Sequence, residues 1–228
     1  IVGGGAAGAA MTWQLARHGL KVACLERGPW MHPDRYPSTR PDWEEQKGAE
    51  FSPLPAMRNS QHDYPIDDAS SPIAWCNYNA VGGSTILYSG HFPRFRPRDF
   101  ELNSAEGIGN DWPLSYDQLK PFYELNEAQM GVAGLAGDPA YPDIEKLLPP
   151  VPLGEAGTLM AKAFNSLGWH WWPSYSAINT IARNGRSPCI NLGPCNTGCP
   201  QGAKSSADIT YMARARNLGA TIISEAAV

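Results

Sequence analysis

An α/β fold is what the opening of this sequence predicts, and three observations carry the expectation. Gly3, Gly5 and Gly8 form a G-x-G-x-x-G run directly after the apolar pair Ile1-Val2. Ala6–Arg17 is Ala-rich and helix-favouring, and Gly19 follows it as a helix-ending residue. Lys21–Leu25 is then a short apolar run with Glu26 at its end. Strand, glycine turn, helix, strand and acid in that order open a Rossmann-like dinucleotide-binding unit.

Each glycine has a physical task in that reading. Gly3 permits the tight turn, Gly5 lets a pyrophosphate approach the backbone, and Gly8 lets helix and strand pack closely. Ala6 and Ala7 begin the helix, whose free N–H groups and positive dipole face the phosphates. Glu26 stands about twenty residues beyond the glycines, where an acid binds the ribose hydroxyls. The competing reading is a glycine-rich turn with no ligand. The motif alone does not choose between FAD and NAD.

Composition narrows the remaining classes. The chain has 228 residues, 43% of them hydrophobic, which is enough for one large domain or two modest ones. A formal charge of -4 argues against nucleic-acid binding, which calls for a basic face. No apolar run reaches the roughly 18 residues of a membrane helix. The 21 prolines and 23 glycines predict long irregular connections. Both ends read as cut through elements, at "IVGGG" and "TIISEAAV".

From Pro29 to Ser71 the prolines exclude a long helix, and this stretch reads as an excursion leaving the nucleotide-binding unit. Gly82-Gly83-Ser84-Thr85 is a small-residue turn that can bring backbone N–H groups against an anion or a flat ring. In "DWPLSYDQLKPFYELNEAQMG", Ser115 caps a first helical turn, with Asp117 placed for the dipole. Pro121 starts a second helical piece, and Leu119, Phe122 and Met130 are candidate core contacts. "GWHWWPSYSAIN" holds three of the eight tryptophans, which either stack on a sugar or, the reading favoured here, are buried in a strand or domain contact. Ala207–Leu218 is expected to be a helix ended by Gly219, followed by a strand over Thr221–Ser224.

"VGGST" after the Rossmann-like start, then "PRFRPRDF", then "GIGNDWPLSYDQLKPFYELNEAQMGVAG", resembles the glucose–methanol–choline (GMC) flavin oxidoreductases. Within that family the similarity is to the branch of gluconate, sorbitol and glucoside 3-dehydrogenases and bacterial pyranose and C-glycoside 3-oxidases. The resemblance covers nearly all of the chain, in order. It implies an FAD-binding domain over residues 1–30, 75–95 and 200–228, with inserted α+β lid and substrate segments over 31–74 and 96–199. The run Glu26-Arg27-Gly28 favours FAD by the same resemblance, and Gly82, Gly83, Ser84 and Thr85 match the family's turn beside the cofactor. Tyr88, Ser89, Gly90 and His91 match the segment near the flavin ring, and Val228 matches a position whose backbone contacts the adenine. His91 lies further from the Gly-Gly pair than covalent attachment requires, so non-covalent FAD is implied; a partly buried structural histidine is the competing reading.

The chain has five cysteines, and Cys24 reads as a small core hydrophobe. Cys189, Cys195 and Cys199 follow a C-x5-C-x3-C spacing. A disulfide between Cys195 and Cys199 requires an oxidising compartment, and zinc calls for a fourth ligand. In sugar-dehydrogenase relatives the pattern through Pro200, Gly202 and Ala203 accompanies a [3Fe–4S] cluster, although Ile190 stands where those relatives often carry a further Cys. A cluster and a loop of free thiols both remain open.

The resemblance implies FAD-dependent oxidation of a sugar or glycoside hydroxyl to a ketone or lactone, with hydride passing to flavin N5 and electrons on to oxygen or an acceptor protein. The family's catalytic histidine lies toward the C-terminus, and none of the five histidines here matches it. The competing classes are an iron–sulfur dehydrogenase subunit feeding a cytochrome, and a nucleotide-binding module without chemistry.

Overall fold

Helix α1 (Ala6–Arg17) begins directly at the glycine turn and turns Ala9, Thr12, Trp13 and Ala16 inward. Small residues on that face let neighbouring backbone come close. Trp13 supplies the bulk, meeting Tyr211 edge-on at 5.4 Å. The helix ends at Arg17, and Gly19 takes the left-handed conformation, φ 80°, that a helix-ending glycine provides. In the computed structural model, residues 1–37, 40–58 and 60–228 are described.

Strand β1 (Ala23–Leu25) lies between two parallel partners. Val2 bridges to Leu25 on one side, and β2 (Thr221–Ile223) pairs on the other in the register Ala23↔Thr221, Cys24↔Ile222, Leu25↔Ile223. Cys24 is fully buried in this layer, as its apolar setting predicts. The chain reaches β2 through a segment that starts as a π turn, Asp208–Met212, and continues as helix α7 (Ala213–Asn217). The expected single α-helix over 207–218 is thus wound wider at its start. Parallel strands joined through helices make this an α/β, Rossmann-like unit.

The residues divide into two compact units, Ile1–Gly90 with Cys189–Val228, and His91–Pro188. Residues 31–74 fall within the first of these units. Proline does exclude a long helix there: α2 (Trp43–Lys47) and α3 (Pro55–Arg58) are short. Apolar burial compensates. Met31, Tyr36 and Phe51 join Tyr78, Ala80, Ile86 and Leu87 in one core cluster, with Phe51 stacked on Tyr78. Buried Arg58 adds bonds to the carbonyls of Ser52 and Asn77 and an ion pair with Asp63 at 2.6 Å.

The second unit contains α4 (Leu102–Glu106), α5 (Tyr116–Met130) and α6 (Gly154–Leu167). Ser115 caps α5 reciprocally with Gln118, as sequence suggests. Pro121 sits inside α5 instead of starting a second piece; losing one N–H donor does not stop a helix that buries Tyr116, Glu127 and Met130. Phe122, expected in the core, is 64% exposed. Arg94 grips Glu127 through two 2.6 Å bonds and reaches the Tyr116 hydroxyl at 2.9 Å. Residues 168–179 form bridges and no regular strand, and Trp169 is 62% exposed, so the expected burial of the tryptophan cluster does not extend to it. Among the described residues no helix is long and apolar enough to cross a membrane.

Candidate functional site

The opening turn gives its three motif glycines three different tasks. Gly3 has φ 88°, a conformation that a side chain strains. At Gly8 a Cβ would fall 1.8 Å from the Gly3 carbonyl oxygen, so this residue must be glycine for the helix to seat on the turn. Gly5 is under neither constraint. Its φ is -71°, and a Cβ there would meet nothing nearer than the Gly83 Cα at 4.0 Å. A Cβ fits at residue 5, so the fold does not itself demand glycine there and the space is available to a ligand.

That space lies at the N-terminus of α1, which has no side-chain cap and no acid in its first turn. Ala6 and Ala7 are exposed there. The positive end of the helix and its leading N–H groups suit a pyrophosphate.

Glu26 closes the turn from β1. It is buried, and its carboxylate accepts from Gly4 N at 2.6 Å and Gly28 N at 2.8 Å. One oxygen thus holds the glycine turn and the other holds the chain after β1. Each oxygen retains acceptor capacity for a hydroxyl. Gly4 is tied to this geometry, because a Cβ on it would press the Glu26 side chain at 3.2 Å. Arg27 places its guanidinium over the Tyr64 ring.

The second glycine turn packs on the first. Gly82 N donates to Gly4 O at 2.8 Å, and a Cβ on Gly83 would fall 2.8 Å from the Gly5 Cα. Gly82 and Gly83 both have positive φ, 99° and 55°. The hydroxyls of the next two residues serve the fold: Ser84 accepts from Tyr78 N, and Thr85 accepts from Ala207 N while donating to Gly82 O. Behind Gly82 stands Asp208, buried and pushed upward in pKa by that burial, with Oδ1 unpartnered.

Lys204 is a further component that sequence reasoning passed over. It is 2% exposed, and its Nζ donates to the carbonyls of Ile86, Tyr88 and Cys195, each at 2.7 Å. Burial pushes the ammonium down to about 8, so it remains protonated at neutral pH.

The remaining predicted site residues are Ser89, His91 and Val228. Ser89 is exposed. His91 opens the second unit, where Nδ1 pairs with Ser174 Oγ at 2.7 Å. Val228 is 80% exposed; just before it, Glu225 N donates to Gly28 O and Ala226 N to Glu26 O, with Glu225 in left-handed backbone at φ 57°.

For the cysteine loop, among the described residues no three His, Cys, Asp or Glu side chains gather as a metal site, and Cys189, Cys195 and Cys199 form no disulfide. Local packing directs the loop. Cys195 contributes its carbonyl to Lys204, burial pushes its thiol upward in pKa, and Gly198 lies flat against the Tyr36 ring, where a Cβ would fall 2.2 Å from a ring carbon. No chemistry is derived through an iron–sulfur group.

Gly28, named in sequence only through the Glu26-Arg27-Gly28 run, has a packing task of its own: a Cβ there would fall 2.0 Å from Asn79 O.

Comparison with known proteins agrees with this geometry. Residues 1–41 match the model of an NAD(P)-binding Rossmann-like domain. Over its whole length the chain is 40% identical to 2-methyl-1,2-propanediol dehydrogenase of Mycolicibacterium austroafricanum, covering 42% of that protein. It is 30% identical to the fructose dehydrogenase large subunit of Gluconobacter japonicus, covering 45% of it, and 30% identical to a GMC-type oxidoreductase of Mycobacterium tuberculosis, covering 31%. Over its whole length the chain is thus similar to proteins of the GMC-type oxidoreductases. It spans less than half the length of these relatives.

Proposed function

We propose that the protein containing this chain oxidises a CH–OH group with FAD, and that this chain supplies the cofactor's cradle. The observation that carries the reading is the unfilled side of Gly5, at the uncapped N-terminus of α1 and beside Gly83. Gly5, Ala6 and Ala7 would present N–H groups to the pyrophosphate. Glu26 would accept from ribose hydroxyls through the acceptor capacity left after Gly4 N and Gly28 N. Gly82 and Gly83 would let the cofactor lie against bare backbone. Ser84 and Thr85 would act through the turn they hold, since their hydroxyls are engaged. Ser89 and His91 would follow toward the ring, and the backbone of Val228 toward the adenine. Bound FAD supplies the hydride acceptor.

The proposed substrate is a sugar or glycoside, with electrons passing on to oxygen or an acceptor protein. The fructose dehydrogenase name supports a sugar, and the propanediol dehydrogenase name brings small diols into the same test. An absorption spectrum of the intact protein, followed by anaerobic addition of sugars, glycosides and diols, tests both levels. Flavin bands that bleach with a sugar or glycoside are expected. Absence of flavin bands overturns the cofactor; bleaching by diols alone overturns the sugar assignment.

A further inference from the structure

Two segments more than a hundred residues apart are laced together behind the Gly82–Thr85 turn. Ala207 N donates to Thr85 Oγ1, the Tyr88 hydroxyl donates to Ser205 O, and Lys204 Nζ donates to Ile86 O and Tyr88 O. The ammonium also stands over the Tyr88 ring, 5.0 Å from its centre. Its third bond, to Cys195 O, anchors the lacing to the cysteine loop.

An ammonium is a costly group to bury, and an apolar side chain of equal length would fill the same volume. What only the ammonium provides is three donors at one point. The run after the turn is irregular past its short 3-10 segment, Gly83–Ile86, and has no strand ladder to engage its carbonyls. Lys204 takes the place of the ladder. It sets where the backbone of residues 86–88 lies, and residues 82–85 must continue from it.

We propose that Lys204 is a positioning residue for bound flavin, holding the Ile86–Tyr88 backbone in the shape that the cofactor's cradle requires. The inference rests on the FAD reading above. Lys204 itself need not touch the cofactor, since all three of its donors are committed to backbone.

The test uses full-length protein stripped of cofactor and retitrated with FAD, with visible circular dichroism of the bound flavin as a second readout. Lys204→Met conserves length and volume; it should keep a cooperative melt as apoprotein, bind FAD about tenfold more weakly and alter the flavin dichroism. Lys204→Ala should regain affinity with added n-propylammonium and not with 1-propanol, which separates donated hydrogen bonds from filled volume. A Lys204→Met protein with wild-type affinity and dichroism overturns the inference while leaving the FAD reading intact. Should Lys204→Met fail to fold, Tyr88→Phe decides: it removes one rung of the same lacing and should weaken FAD a few-fold, and unchanged affinity overturns the inference. Wild-type protein that binds no FAD rejects the FAD reading, and this inference with it.

Discussion

Gly83 stands so close to Gly5 that a Cβ on Gly83 would fall 2.8 Å from the Gly5 Cα, while a Cβ on Gly5 would stay 4.0 Å from Gly83. The asymmetry separates structural from ligand-facing glycine within one contact. Gly83 is glycine because the two turns must touch and because its φ is 55°. Gly5 lies in ordinary extended backbone and has room for a Cβ in this fold.

Gly5→Val should therefore fold and lose flavin. Flavin absorbance per protein should fall to background while the apoprotein melt stays within a few degrees of wild type. A Gly5→Val protein that purifies with full flavin contradicts a ligand at this turn.

Gly8→Ala should act in the opposite way. Its Cβ would overlap the Gly3 carbonyl oxygen at 1.8 Å, so α1 must shift off the turn. A loss of about 2 kcal/mol or more in denaturant unfolding is expected, present with or without added FAD. An unchanged midpoint would show that the turn relaxes freely.

Glu26→Gln preserves shape and leaves one carbonyl oxygen for two N–H donors, Gly4 and Gly28. The orphaned donor should cost roughly 1–3 kcal/mol in unfolding free energy. FAD affinity should fall further than stability alone explains, because the ribose acceptor is also weakened. Equal loss in the apo and FAD-bound forms would assign Glu26 to the fold alone.

Lys204 predicts a pH dependence. Its ordinary value of 10.5 is lowered to about 8 by burial, so between these values the unfolded chain binds more protons than the folded one. The stability contribution of this group therefore rises with pH across that window and is flat below it. Measured against Lys204→Met, wild type should gain on the order of 1–3 kcal/mol between pH 7.5 and about 10. A difference that does not change with pH would mean that Lys204 keeps its ordinary value.

His91 engages Ser174 through Nδ1. Acid precipitation of the holoprotein should release all flavin to the supernatant. Yellow colour remaining with the pellet would establish a covalent link instead.

The opening sequence determined the α/β class, the three-glycine turn and the acid at the end of β1, because each depends on residues adjacent in the chain. Gly3 needs only its own φ, the Ala-rich run its own propensity, and the Ser115–Gln118 cap two residues three apart. Tertiary structure decided what depends on distant partners. Residues 31–74 join the first unit because Met31, Tyr36 and Phe51 find Tyr78 and Ile86, which no local period announces. The regular spacing of Cys189, Cys195 and Cys199 does not by itself say what the loop packs on; its neighbours prove to be Tyr36 and Lys204. Nothing local in the sequence singles out Lys204. Its role exists only once the carbonyls of Ile86 and Tyr88, 118 and 116 residues away, converge on its ammonium, because a buried charge is defined by the groups that enclose it.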